Sequence, residues 1–273
     1  MNKRSKDKRG PILLMGILLV TAVIAFVSWY SSSFKRPLSD DQIIERLETG
    51  DARSIQHALS QLEERLSPRY DGRARFREPV VALAKDEYVE IRRQVAWVMG
   101  REPAPVYRET LTKMLADADL GARVMAACSL SNWNDPLARP VLLTGLDAFE
   151  LRAEAAGTLD LKLEVGDAAS LGTGLGSIKR KDGEAAPVRT PLNGFIQLLP
   201  KGKDGDVVVG DVIAKIAPGP KTVLNLLTAL GYVGKYEDLP ILERFAGGGV
   251  ERMTKEVEDA ARAAIDAVKT RGR

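Results

Sequence analysis

Histidine and cysteine are almost missing from this chain. Its 273 residues hold one of each, His57 and Cys128. One cysteine excludes an intrachain disulfide framework. One histidine excludes multi-histidine metal sites, and any histidine-based triad would have to use His57. Aromatic residues are also scarce, at 5%. With alanine and leucine abundant, that suits thin helical layers more than one large core. Basic charge is missing from the body of the chain. The net charge is +3, but the first 36 residues hold seven basic groups and one acid, which leaves about −3 for the remainder. A nucleic-acid-binding body would concentrate positive charge in its folded part, so nucleic acid is excluded as a partner.

What is present begins with an uncharged apolar run, Ile12 to Tyr30. As a helix rising 1.5 Å per residue it would extend roughly 28 Å, close to a bilayer's hydrocarbon thickness. Lys3, Arg4, Lys6, Lys8 and Arg9 precede it, and Trp29 and Tyr30 close it. The run is longer than a signal-peptide core, and no small-x-small cleavage site follows. These features predict an uncleaved signal anchor: a cytosolic basic tail (1–11), a transmembrane helix (12–30) and a linker (31–38). The charge asymmetry puts the N-terminus in the cytoplasm and the body in the periplasm of an inner-membrane protein.

Helical periodicity follows. Ser39-Asp40-Asp41-Gln42 is a capping-box pattern, and Ile43, Ile44 and Leu47 give the next helix an apolar stripe. Ile55, Ala58, Leu59, Leu62 and Leu66 line a second helix. Asp86-Glu-Tyr-Val-Glu-Ile-Arg92 matches Asp117-Ala-Asp-Leu-Gly-Ala-Arg123 at an offset of 31 residues. Each is followed by an apolar helix. One helix pair cannot bury its apolar face alone, so such units stack. On Asp86, Ile91, Arg92, Val95, Ala96 and Asp117, Ala122, Arg123, Ala126, Ala127, the segment 39–149 resembles the HEAT repeat, in the short form of phycobilin-lyase-like proteins.

From about residue 150 the pattern changes to glycines and alternating apolar residues. Residues 150–160 read equally as a last repeat helix or a first strand. Gly157, Gly166, Asp167 and Gly172, then Pro191, Gly194, Gly205, Asp206 and Gly210, repeat one plan of strands and Gly-Asp turns. This resembles the biotinyl/lipoyl-type barrel-sandwich of membrane-fusion proteins (export adaptors), over 150–219. The resemblance implies a modified lysine at the hairpin tip, but Lys179-Arg180-Lys181 lacks the flanking residues of either modification. A solvated basic hairpin is expected there, and no cofactor. Helical spacing resumes over 220–273, with Val257, Ala260, Ala261, Ala264, Ile265 and Val268 on one stripe.

Candidate chemistry is sparse. Leu171-Gly172-Thr-Gly174-Leu-Gly176 has the glycines of a dinucleotide loop, but no helix opening follows. His57 and Cys128 read as structural residues. The concentrated surface signal is the loop 68–77, where Arg69, Arg73, Arg75 and Arg77 interleave with Tyr70 and Phe76. It is the candidate site for an anion or an acidic partner.

The fold class expected is therefore mainly α: an N-terminal transmembrane helix and a short HEAT-like α-solenoid, interrupted by a small all-β barrel-sandwich module. The function expected is a non-enzymatic, membrane-anchored scaffold binding other envelope proteins, with no catalytic or metal residues and no small-molecule substrate. The resemblances imply two alternatives, an accessory adaptor of a secretion or efflux system and a lyase-type enzyme.

Overall fold

The computed structural model describes residues 37–67 and 69–272. Among the described residues, ten α-helices and eight strands form in the order of five helix pairs with the strands inserted between the two helices of the fourth. The helices are α1 (Asp40–Thr49), α2 (Ala52–Arg65), α3 (Arg77–Ala82), α4 (Val89–Met99), α5 (Pro105–Met114), α6 (Leu120–Ser131), α7 (Arg139–Gly145), α8 (Pro220–Val233), α9 (Leu239–Ala246) and α10 (Lys255–Arg271).

Helix starts follow from local chemistry. Ser39 accepts the Gln42 amide while Gln42 reaches back to the Ser39 amide, which satisfies two otherwise orphaned donors of α1. Asp51 and Asp119 cap α2 and α6 by accepting the Ser54 and Ala122 amides. Proline opens α5 and α8, where its missing N–H costs nothing.

The second helices α2, α4, α6, α8 and α10 pack side by side in one layer. Behind them, α1, α3 and α5 follow in series, α7 lies against α6 and α8, and α9 backs α10. The core between the layers is continuous, from Ile43 and Leu59 through Ile91, Leu111 and Leu142 to Leu227 and Val268. Each such side chain contributes about 1.5–3 kcal/mol by leaving water.

The inserted module is built from two antiparallel four-stranded sheets, β1-β8-β6-β3 and β5-β4-β2-β7. Its strands are β1 (Phe149–Arg152), β2 (Gly157–Leu161), β3 (Ala168–Ala169), β4 (Gly174–Lys179), β5 (Ala185–Arg189), β6 (Gly194–Leu198), β7 (Asp206–Val207) and β8 (Val212–Pro218). Residues 150–160 thus lie in strands and their connection, not in a helix. The module has its own core of Leu159, Ile178, Val188, Ile196, Ile213 and Ile216, with Phe149 touching both cores. Its two halves share one turn: Asp167 Oδ2 accepts the Glu164 amide and Asp211 Oδ2 accepts the Val208 amide. Gly166 and Gly210 supply the positive φ, 96° and 90°, that each turn needs.

Two expectations are corrected. Among the described residues the fold class is not mainly α with a transmembrane helix, but a helical-repeat stack together with two antiparallel four-stranded sheets. Among the described residues no helix is long and apolar enough to cross a membrane. The longest, α10, has 17 residues and is charged along its outer face, whereas a span takes about 20 apolar residues. The run 12–30, with the signal anchor, single-pass topology, periplasmic localisation and envelope scaffold that rested on it, lies outside the described residues. The membrane-anchored reading is carried no further.

Candidate functional site

A concavity lies where the β module meets the C-terminal helices. Its volume is about 540 Å³, within the usual range of ligand-binding clefts. One wall comes from the module, through Val165, Phe195 and Ala217, and the other from Val223, Phe245 and the segment 249–253. That segment leaves α9 through Gly248 (φ 68°) and carries Arg252 at φ 62°. A left-handed conformation in a non-glycine residue costs on the order of 1 kcal/mol. Here it aims the guanidinium back at the module. Arg252 Nη1 donates to the Gly166 carbonyl at 2.5 Å, and the guanidinium lies 5.0 Å from the centre of the Phe195 ring.

A second cation flanks the first. Arg244 stacks 5.1 Å from the centre of Phe245 and stands 3.8 Å from Asp147. The cleft therefore combines apolar walls with two guanidinium groups on aromatic faces. Such a lining favours an apolar segment bearing acidic or carbonyl groups.

A third contact seats the module on the helices. Gly121, in the first turn of α6, lies beneath the Pro191 carbonyl and beside Arg93, and a Cβ there would stand 2.6 Å from each. Arg93 is held by Asp119, with both bonds at 2.7 Å. Any side chain larger than hydrogen at 121 would push module and stack apart.

The structure distributes the arginines of loop 69–77 over internal partners. Arg73 and Arg77 converge on one oxygen, Oε1, of the buried Glu102. That hydrogen bond raises the Arg77 pKa above its ordinary value. Arg75 reaches Asp41 at 2.5 Å, and Asp40 also binds Arg65 and the Tyr70 hydroxyl. Burial would raise the Asp40 carboxyl, but the bonds from Tyr70 and Arg65 win and hold it below the usual carboxylate range. Arg69 is exposed. The four arginines do not converge on one spot.

The other sequence candidates are equally dispersed. His57 lies between Arg46 and Gln61, its ring nitrogens 2.9 and 3.0 Å from their side-chain nitrogens. Burial pushes the Cys128 thiol up to about 12, so it stays protonated and a poor nucleophile. The glycines at 172–176 run into strand β4 rather than a helix, which is not the setting of a dinucleotide loop. At the tip of the β4–β5 hairpin, Lys181 points to solvent. Among the described residues no group of three His, Cys, Asp or Glu side chains could hold a metal ion.

Sequence reading missed the junction cleft. Phe195 and Arg252 are 57 residues apart in the chain, and no local motif marks either. The single available hint was that the glycine run 247–249 and Met253 interrupt two amphipathic helices.

No family model matches the chain, and no curated protein sequence matches it. Among solved structures it is similar to the complex of CpcE and CpcF of phycocyanin lyase from Nostoc sp. PCC7120. The identity is 17% and the TM-score 0.49, over 86% of this chain and 66% of that one. The chain thus spans just under two thirds of that protein's length, and at this TM-score the likeness carries no argument about function.

Proposed function

We propose that this chain is a non-catalytic binding protein, and that it holds a protein partner in the cleft where the β module meets the C-terminal helices. The observation that carries the reading is the composite cleft of about 540 Å³. It is walled by the β module and the C-terminal helices and lined by Phe195, Phe245, Met253, Arg244 and Arg252. Repeat stacks present extended surfaces to partners, and aromatic and arginine side chains are the residues that most often anchor interfaces. The protonated thiol of Cys128 and the dispersed ionisable groups supply no nucleophile–base pair.

A photo-crosslinking residue in place of Phe195, in the full chain expressed in its own cells, tests this. A discrete protein adduct that disappears with Arg252→Glu, a change at an exposed residue of the cleft, is the expected result. Uniform background labelling, matched by a probe at exposed Leu198, would defeat it. The lyase-type alternative makes a separate prediction. Added bilin would bind with a red-shifted absorbance band and pass to an acceptor protein; the binding reading expects neither.

A further inference from the structure

A second groove opens on the opposite edge of the stack, between the loop that leaves α4 and the loop that leaves α6. It measures about 380 Å³ and is lined chiefly by Pro103, Pro105, Trp133, Pro136 and Arg108. The β module does not cover this edge. It meets Glu90 and Gly121 in the first turns of α4 and α6, whereas the groove lies beyond their last turns.

Of the acids beside the groove, one oxygen of Glu102, Oε2, is left without a hydrogen-bond partner among the described residues. Glu102 and Asp135 are buried and each is held by arginine. Arg108 uses Nε on Asp135, at 2.5 Å, while its side chain stays 59% exposed. Its terminal nitrogens and the Trp133 indole N–H have no partner among the described residues. The walls are stiff: proline rings have no χ freedom to lose, and Asn134 (φ 56°) fixes the turn that presents Trp133.

We propose that this groove binds a proline-rich, acid-bearing segment of a partner protein in the polyproline II conformation. Flat proline and tryptophan walls suit the faces of ligand prolines, and the indole N–H suits a backbone carbonyl, which that helix leaves unpaired. The outward edge of Arg108 complements a ligand carboxylate. The period agrees as well. One polyproline II turn advances about 9.3 Å, and packed helices stand about 8–10 Å apart. The next turn of the ligand therefore reaches the next unit's loop. There Tyr236 stands two residues before buried Asp238, as Trp133 stands two before Asp135, and Tyr236 is 68% exposed.

The test is fluorescence anisotropy of a labelled Pro-Pro-Glu repeat peptide of about twelve residues titrated with the full chain. Pro-Pro-Lys and Gly-Ser-Glu repeats of equal length are the comparisons. Saturation by the Pro-Pro-Glu peptide is expected, with each comparison at least about tenfold weaker. Trp133→Ala should weaken binding by about tenfold or more. Hydrogen exchange on the unmutated chain keeps the test independent of that variant's folding: protection should rise over 103–108 and 133–137 on adding peptide. No saturation up to about 1 mM, equal binding of the Gly-Ser-Glu repeat, or protection elsewhere would overturn the proposal. Success or failure here leaves the junction cleft untouched, since the two sites share no residue.

Discussion

Arg139 at the start of α7 and Asp238 in the loop that leaves α8 form a two-pronged ion pair, Nε to Oδ2 at 2.8 Å and Nη2 to Oδ1 at 2.5 Å. The partners are 99 residues apart in sequence. Without the 70 residues of Phe149–Pro218 the separation becomes 29. Arg77–Glu102 and Arg108–Asp135 span 25 and 27 residues. All three arginines come from the first helix of a unit and reach the acid that follows its second helix. Arg77, Arg108 and Arg139 also recur at intervals of 31. The ladder of ion pairs thus runs past the β module as though it were not there.

Breaking that rung should be costly. Asp238 is 3% exposed, and removing its partner leaves a buried charge uncompensated. Arg139→Ala is expected to destabilise the chain by about 3–5 kcal/mol. Replacing both partners, as Arg139→Met with Asp238→Leu, should recover most of the loss, since a pair of apolar groups strands no charge. Urea unfolding of the single and double variants measures the difference. A double variant as unstable as the single one would mean that the pair is not the source.

The module should also be removable. Strands β1 and β8 are antiparallel neighbours with Phe149 opposite Ile216, so the chain enters and leaves at points about 5 Å apart. Replacing 149–218 by a short glycine-serine link should leave a helical stack that unfolds cooperatively. Circular dichroism and a thermal melt check this. Broad, non-cooperative melting would show that the contacts at Gly121 and Leu192 are needed for the helices to pack.

How far the sequence speaks is clear from particular residues. The capping box at Ser39, the stripes of α1 and α2, and the 31-residue repeat of Asp-x-x-x-x-x-Arg are local patterns, and each has its counterpart in the structure. The turns at Gly166 and Gly210 were legible because positive φ restricts residue choice, whereas Gly205 does not take that conformation. Ion pairs that close across a whole helix pair were not legible. Arg73 and Arg77 look like a free cationic surface until Glu102, 29 and 25 residues on, folds beneath them. A linear reading counts charges but cannot pair them across a loop. Residues 150–160 read equally as helix or strand because Ala and Leu suit both, and the register with β8 and β4 decides.

The arginine loop should therefore divide in two on mutation. Arg77 serves a carboxylate that is 5% exposed, while Arg75 pairs with Asp41 in the open. Arg75→Ala should cost no more than about 1 kcal/mol, as exposed pairs do. Arg77→Ala should cost about 3 kcal/mol or more, because Glu102 then keeps only Arg73. Chemical denaturation of the two variants side by side tests the contrast, and equal losses would refute the internal-tie reading of Arg77.

Two arginine-bound aspartates, Asp117 and Asp238, give the fold a signed dependence on pH. Burial by itself would raise the carboxyls of Asp117 and Asp238. Hydrogen bonds from Arg92 and the Asp119 amide to the first, and from Arg139 and the Lys235 amide to the second, outweigh it and lower both. A carboxyl depressed in the folded state binds protons less readily there than in the unfolded chain. Its contribution is therefore complete above the ordinary aspartate value of about 3.9 and is lost as pH falls through that value towards the lowered one. Urea midpoints should stay level from about pH 7 to 5 and drop below about pH 4. Asp238→Asn, which cannot titrate, should start from a lower midpoint at neutral pH and show a shallower acid drop. Loss of stability already complete at about pH 5.5 would point to other groups, because neither aspartate takes up a proton in that range.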